Sequence, residues 1–265
     1  MSVGMFRSLH VAATGMVAQE TNLDSIANNL ANANTVGYKR QEAQFEDLFY
    51  QTVRTPGATN NTGGANPTGL QVGAGARVVA TARYFSQGPL TQTGNPMDLA
   101  IEGQGFFQVQ RPTGDTAFTR AGTLRLDAQG RMVTSDGLPV EPAITVPVDA
   151  TSVTVAPDGT VSALAAGSTT PTNVGQLQLA VFANPDGLIA LGHNLFQQTN
   201  ASGEPRVGAP GTEGRGSLQQ GALEGSNVEV VNEMIAMIRT QRAYEINSKV
   251  IQAADEMLRN ATQIR

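Results

Sequence analysis

Apolar residues recur with two different periods along this 265-residue chain, helical at both ends and alternating in the middle. Near the start, Leu9, Met16, Leu23 and Leu30 return every seven residues, with Ala12, Gln19, Ile26 and Ala33 at the companion positions. A narrow heptad stripe with small residues on alternate turns predicts a helix that a second helix can approach closely. Gly15 inside it costs about 1 kcal/mol relative to alanine, so a contact with another backbone is expected there. The helix is expected to end near Asn34, with Gly37 in the left-handed C′ position and Tyr38 folded back onto the last apolar turn.

The other end mirrors this pattern. From Ser226 to Arg265 there is neither glycine nor proline, and Ser226 with Glu229 reads as a capping box. Val230, Met237, Tyr244, Ile251 and Leu258 repeat every seven residues, with Met234, Gln241, Ser248 and Asp255 as companions. Val231, Ile235, Ile238, Ala254, Met257 and Ala261 form a second stripe beside the first. At about 1.5 Å per residue such a helix is about 60 Å long, which exceeds the usual length in a globular domain.

Between the two helical ends the texture is β. Turn signals at "PTGD", "DAQG", "SDG" and two "PDG" sequences separate short runs of strand composition: "FFQVQ", "FTRAGTLRLD", "RMVT", "ITVPV", "SVTVA" and "LQLAVF". Their spacing suits hairpins in an antiparallel sandwich or open barrel. Residues 47–78 are dense in glycine and proline, and most of that segment is expected to lack regular structure, either as a functional extended loop or as a linker.

These segments define an α+β fold: long N- and C-terminal helices paired as a coiled coil in one discontinuous domain, around a central all-β antiparallel domain. The expected boundaries are 1–46 with 222–265 for the helices, 47–78 for the extended segment and 79–221 for the β domain. A helix hairpin covers only one stripe of the C-terminal helix, so an apolar strip is left for a neighbouring subunit. A heterologous contact of that kind that does not close generates a helical array, so a homo-oligomer in such an array is expected. Asn28, Asn29 and Asn32 are poor helix formers. They are read as register-setting hydrogen bonders at helix contacts, with a frayed, solvent-facing helix end as the alternative.

Composition narrows the function. A net charge of −5 and 5% aromatic content give neither a basic field nor stacking platforms for nucleic acid. With no cysteine there is no disulfide framework and no thiolate site, and two histidines leave little for a metal cluster, so no metal and no cofactor is expected. The first residues are not patterned as a cleavable signal peptide, since His10, Thr14 and Gly15 interrupt any apolar run, and no window is apolar enough to span a membrane. "GAPGTEGRGS" lacks the lysine and hydroxyl of a phosphate-binding loop. His10 and His193 have no serine elbow nearby, and Asp127 with Asp136 lacks the alternating oxygen ligands of a calcium loop. Phe106 and Phe107 could form a carbohydrate platform, but a strand start packed into the core explains them better. No enzyme is expected.

"SLHVAATGMVAQETNLDSIANNLANANTVGYKRQ" resembles the N-terminal signature of bacterial flagellar rod and hook axial proteins. The likeness continues through "GNPMDLAIEGQGFFQV", "TRAGTLRLDAQGRMVTSDG" and "GSLQQGALEGSNVEVVNEMIAMIRTQRAYEINSKVIQAADEML", in that order, and so covers nearly the whole chain. Length and the segment 45–90 resemble distal rod subunits more than proximal ones, and hook proteins are generally longer. The resemblance implies a structural subunit of the distal rod in the flagellar basal body, spanning the periplasm and transmitting torque from motor to hook as part of a hollow drive shaft. It implies export by the flagellar type III apparatus without a cleaved signal, terminal helices lining an inner tube, and a stiffening role for residues 47–78. Implied partners are further copies of the chain, proximal rod proteins, hook or hook-junction subunits, and the P and L ring bushing. The residues expected to carry assembly are Leu9, Met16, Leu23, Ile26, Asn28, Asn29, Leu30, Asn32, Met234, Met237, Tyr244, Ile251 and Leu258. Other readings are a proximal rod or hook subunit, and a polysaccharide-binding β domain on an oligomerising helical stalk.

Overall fold

Helical periodicity at the two ends is realised as α1 (Ser2–Ala31) and α2 (Val230–Gln263). The computed structural model describes residues 2–57, 67–168 and 170–263. Neither helix is long and apolar enough to cross a membrane. The chain divides into two units: Met1–Leu30, Gln41–Ala82 and Glu229–Arg265 form one, and Ala31–Arg40 with Arg83–Val228 the other.

In the first unit α1 and α2 lie against each other, and a β ribbon runs beside α1. The ribbon consists of β1 (Gln41–Asp47), β2 (Tyr50–Arg54), β3 (Leu70–Gly73) and β4 (Ala76–Arg83), with β1 pairing β4 and β2 pairing β3. Within 47–78, where little regular structure is expected, residues 47, 50–54, 70–73 and 76–78 are in strands, so for these the expectation is corrected. Backbone groups of an extended chain need partners, and the antiparallel return of the chain supplies them. Residues 58–66 of that segment lie outside the described residues.

Three contacts fix the ribbon along α1. Gln41 exchanges two hydrogen bonds with the Asn29 side chain, at 2.8 and 2.9 Å. Gly75, with φ of +116°, approaches Val11 and Thr14 so closely that a Cβ there would collide with the Thr14 hydroxyl. Arg7 donates to Gln51 at 3.2 Å. From Asn29 back to Arg7 a helix advances about 33 Å, and from Gln41 to Gln51 a strand covers about 34 Å. The matched lengths are what let β1 and β2 run antiparallel to α1.

The second unit is antiparallel β. Its main sheet has the order Ile189–Gly192, Leu195–Gln197, Thr116–Thr119, Phe106–Gln110, Leu179–Val181, Arg206–Gly208, and Val140–Glu141 also pairs with Phe106–Gln110. A three-stranded sheet (Ala150–Val155, Thr160–Ala165, Thr172–Gln176) and several two-stranded pairs complete it. Leu99, Ile101, Phe107, Val109, Leu124, Leu177 and Leu179 centre one core; Phe106, Phe118, Phe182 and Phe196 centre another.

The structure corrects four local expectations. "FTRAGTLRLD" is two strands, not one, because Arg120 turns into the interior and Gly122 lies against the Leu99 carbonyl, where a Cβ would collide. "ITVPV" is not a strand; Ile144 and Val146 are buried, and only Thr145 forms a bridge, to Arg131. Ser226 does not cap α2, since its hydroxyl accepts from the Val228 N–H at 3.3 Å and the first helical turn closes from Glu233 N–H to the Glu229 carbonyl. Gly37 does have φ of +70°, yet it lies beyond the turn that ends α1; its N–H donates to the Glu224 carbonyl, and its Cα abuts the Arg120–Ala121 backbone.

Candidate assembly interface

The contact between α1 and α2 is polar at its centre. Asn22 Nδ2 donates to Thr240 Oγ1 at 3.0 Å, and Asn29 Nδ2 donates to Glu233 Oε2 at 3.3 Å. A Cβ on Gly15 would lie 3.0 Å from Asn247 Nδ2. Each step of seven residues up α1 is thus matched by a step of seven down α2, so the two helices run antiparallel at this contact. The line Gly15, Asn22, Asn29 runs one residue before the Met16, Leu23, Leu30 positions from which the seam is read in the sequence. Gly15 answers to a side chain on α2, not to the backbone expected there.

Burial follows the same line. Ala12, Ala18, Ser25, Ile26 and Asn29 are buried on α1, and Glu233, Thr240 and Ala254 on α2. Small and polar side chains occupy the middle of the contact, so a displacement of one turn would leave buried amide and carboxylate groups unpaired. Asn29 links three elements at once, since its amide serves Gln41 of the ribbon and Glu233 of α2.

Of the residues singled out from sequence, Ile26 and Asn29 are buried within the unit. Leu9, Met16, Leu23, Leu30, Asn32, Met237, Ile251 and Leu258 are half-buried. Asn28, Met234 and Tyr244 are exposed. Asn32 accepts from the Thr35 hydroxyl at 3.1 Å in the turn that follows α1.

On α2 a second face is bare. Val231, Ile235, Ile238, Ile246, Val250 and Met257 are all exposed, Val231 to 70%. They follow the i, i+4, i+7 rows of one helix face and extend over about 39 Å at 1.5 Å per residue, interrupted by Arg242. Ala254, expected in this stripe, is instead buried toward the first unit's interior, and the side chain of Ala261 lies outside the described residues.

In the second unit a buried ion cluster joins blocks that are far apart in sequence. The Glu224 carboxylate receives Lys39 Nζ at 2.6 Å and Arg120 Nε at 2.8 Å, and the Gly88 N–H donates to it at 3.0 Å. Lys39 also donates to the Ser86 carbonyl, and Arg120 to the carbonyls of Gly103 and Gly105. All three side chains are almost wholly buried. Burial pulls the Lys39 ammonium below its ordinary value, and the Arg120 charge adds to that, against the opposing pull of Glu224. Beside the cluster, Asn227 accepts from the Arg40 N–H at 2.7 Å and donates to the Tyr84 carbonyl at 2.8 Å. Sequence reasoning missed this group. The available signal was a charge in each of three turn blocks, "GYKR", "TRAG" and "LEGS", and nothing in their spacing pairs them.

The arrangement locks backbone segments together. Comparison with known proteins gives the same direction. Residues 9–39 match the family described as "Flagella basal body rod protein", residues 100–163 the "Flagellar hook protein FlgE/F/G D1 domain", and residues 219–264 the "Flagellar basal body rod FlgEFG protein C-terminal". The chain is 48% identical to the "Flagellar basal-body rod protein FlgG" of Buchnera aphidicola subsp. Acyrthosiphon pisum, over 98% of this chain and 100% of that one. It is 48% identical to the protein of the same name from Caulobacter vibrioides, over 98% and 99%. Against the "Flagellar basal-body rod protein FlgF" of the same organism identity falls to 35%, over 98% of each chain.

Proposed function

The chain belongs to the family of flagellar basal-body rod proteins, as a structural subunit most similar to its FlgG members, and on that premise we propose how it builds a rod. The single observation that carries the mechanism is the bare face of α2 beside a polar, register-fixed contact with α1. The inner contact specifies how one subunit is folded. The outer stripe is the surface by which a neighbouring copy is held.

On this reading the subunit is of the distal rod, and α1 with α2 form a coiled coil in the inner wall of a hollow shaft. Covering the outer stripe contributes about 1.5–3 kcal/mol for each side chain fully removed from water. Because the stripe meets a different surface of the neighbour, the contact is heterologous and propagates as a helix. Torque then passes as shear over many such contacts, and no single bond bears it. Leu9, Met16, Leu23, Leu30, Met234, Met237, Tyr244, Ile251 and Leu258, half-buried or exposed in one copy, are the side chains that neighbouring copies complete. Asn28 and Asn32 lie at the same end of α1 and are assigned to those contacts as well.

The segment 47–78 stiffens the shaft by lying between subunits. Proximal rod proteins and hook or hook-junction subunits meet the ends of the stack, the P and L rings surround it, and the flagellar type III apparatus delivers the unfolded chain.

The test is complementation of a motile bacterium that lacks its own rod subunit of this type. The full chain is expected to restore basal bodies with complete rods, and the Ile235→Asp variant to accumulate without rods. Complete rods from Ile235→Asp would contradict the stripe as the assembly surface.

A further inference from the structure

The second unit contains an aromatic group that the assembly contacts above do not use. Phe85, Phe106, Phe118, Phe182 and Phe196 meet edge to face, with centroids 4.8 to 6.0 Å apart. Beside them opens a cavity of about 170 Å³ walled by Phe85, Phe106, Phe182, Ala183 and Pro185, with the polar side chains of Gln104 and Arg120 also in its lining. An apolar cavity of about 150 Å³ takes up one benzene ring, so this one is the size of a single aromatic side chain.

The first unit carries a ring without a seat. Phe49, in the corner between β1 and β2, is 93% exposed, the highest value among the large exposed apolar side chains described. All five residues of β2 beside it are exposed, and a two-stranded ribbon in water has little stability of its own. The guanidinium groups of Arg83 and Arg120 lie 5.4 and 6.0 Å from the Phe196 and Phe106 ring centroids. Arg120 is already paired with Glu224, and Glu46 near Phe49 with Arg77, so the fit of ring to cavity, not charge, selects the contact.

We propose that Phe49 of one copy inserts into the Phe85–Phe106–Phe182 cavity of a second copy of this chain. The inference rests on the rod reading and adds a specific knob and hole to it. Knob and hole lie on different surfaces, so the contact is heterologous and repeats from copy to copy. Edge-to-face packing on three rings gives it direction as well as burial.

The absence of cysteine makes the contact directly testable. Phe49→Cys and Ala183→Cys are placed together in the full chain, which supplies the rod subunit in cells, and isolated basal bodies are mildly oxidised. A ladder of disulfide-linked multimers, dissolved by reductant and absent from either single variant, is the expected result. Basal bodies that contain the double variant but yield only monomer overturn the proposal and leave the rod reading intact. Absence of the wild-type chain from basal bodies overturns the rod reading, and this proposal with it. A measurement that does not need assembly keeps the proposal falsifiable where the double variant is not incorporated. A peptide of residues 44–52, added to the full-length monomer, is expected to shift the amide resonances of Val181, Phe182 and Ala183. The same peptide with Phe49→Ala is expected to bind about tenfold more weakly or less. Unmoved resonances at millimolar peptide overturn the proposal.

Discussion

Asn22 and Thr240, 218 positions apart in sequence, share a hydrogen bond of 3.0 Å that forms the middle rung between α1 and α2. Above and below it stand Asn29 with Glu233 and Gly15 beside Asn247. A contact built from amide, hydroxyl and carboxylate groups holds one register at some expense of stability.

Removing one partner of that rung is therefore worse than removing both. Asn22→Leu or Thr240→Val alone is expected to destabilise the full chain by about 1–3 kcal/mol, because each leaves a polar group unpaired. The double variant is expected to recover most of that loss. Urea unfolding of the four proteins, analysed as a double-mutant cycle, measures the coupling.

Gly15 is expected to tolerate alanine. The nearest atom to a new Cβ is the end of the Asn247 side chain, which can turn aside, while alanine gains up to about 1 kcal/mol of helix propensity. Gly15→Leu has no such room and is expected to force the helices apart. Thermal unfolding distinguishes the two, with Tm unchanged or raised for alanine and lowered for leucine.

The buried cluster holds two cations against one carboxylate, which makes its members unequal. Glu224→Gln leaves Lys39 and Arg120 facing each other and is expected to cost about 3–5 kcal/mol. Lys39→Met leaves a one-to-one pair of Arg120 and Glu224 and is expected to cost less. The midpoint of urea unfolding gives the ranking.

The same cluster has a pH signature. Lys39 is held below its ordinary value of 10.5, so the folded chain releases this proton before the unfolded chain does. Between the lowered value and 10.5 the unfolded state holds more protons, and Lys39 contributes stability that rises with pH. Other groups titrate in that window, so the readout is a difference: from pH 8 to 10.5 the wild type is expected to gain stability relative to Lys39→Met. A constant difference would exclude the assignment.

Gly75→Ala is expected to detach the ribbon from α1, through a collision with Thr14 and a φ of +116° that costs about 1–3 kcal/mol for a residue with a Cβ. Hydrogen exchange at residues 41–54 is expected to accelerate, with the core of the second unit unchanged.

Both helices and the strand "FFQVQ" were legible in the sequence, since a heptad or an alternation states its own partner face. The rungs were not. Gly15, Asn22 and Thr240 carry no apolar signal, so the contact was read one residue away, at Met16, Leu23 and Leu30. The bare stripe of Val231, Ile235 and Ile238 was legible because two apolar stripes exceed what one partner covers. The ribbon was hidden by glycine and proline, which mark loops but also sit where strands approach a helix, as at Gly75. Lys39, Arg120 and Glu224 could not be paired from sequence, because their meeting depends on the long-range return of the chain.

The most direct test of the account is the accessibility of α2's outer face before and after assembly. With no native cysteine, Ile238→Cys gives a single thiol within the exposed stripe, and maleimide labelling reads it in the monomer and in isolated rods. The account predicts fast labelling of the monomer and strong protection in the rod. Equal labelling in both would contradict it.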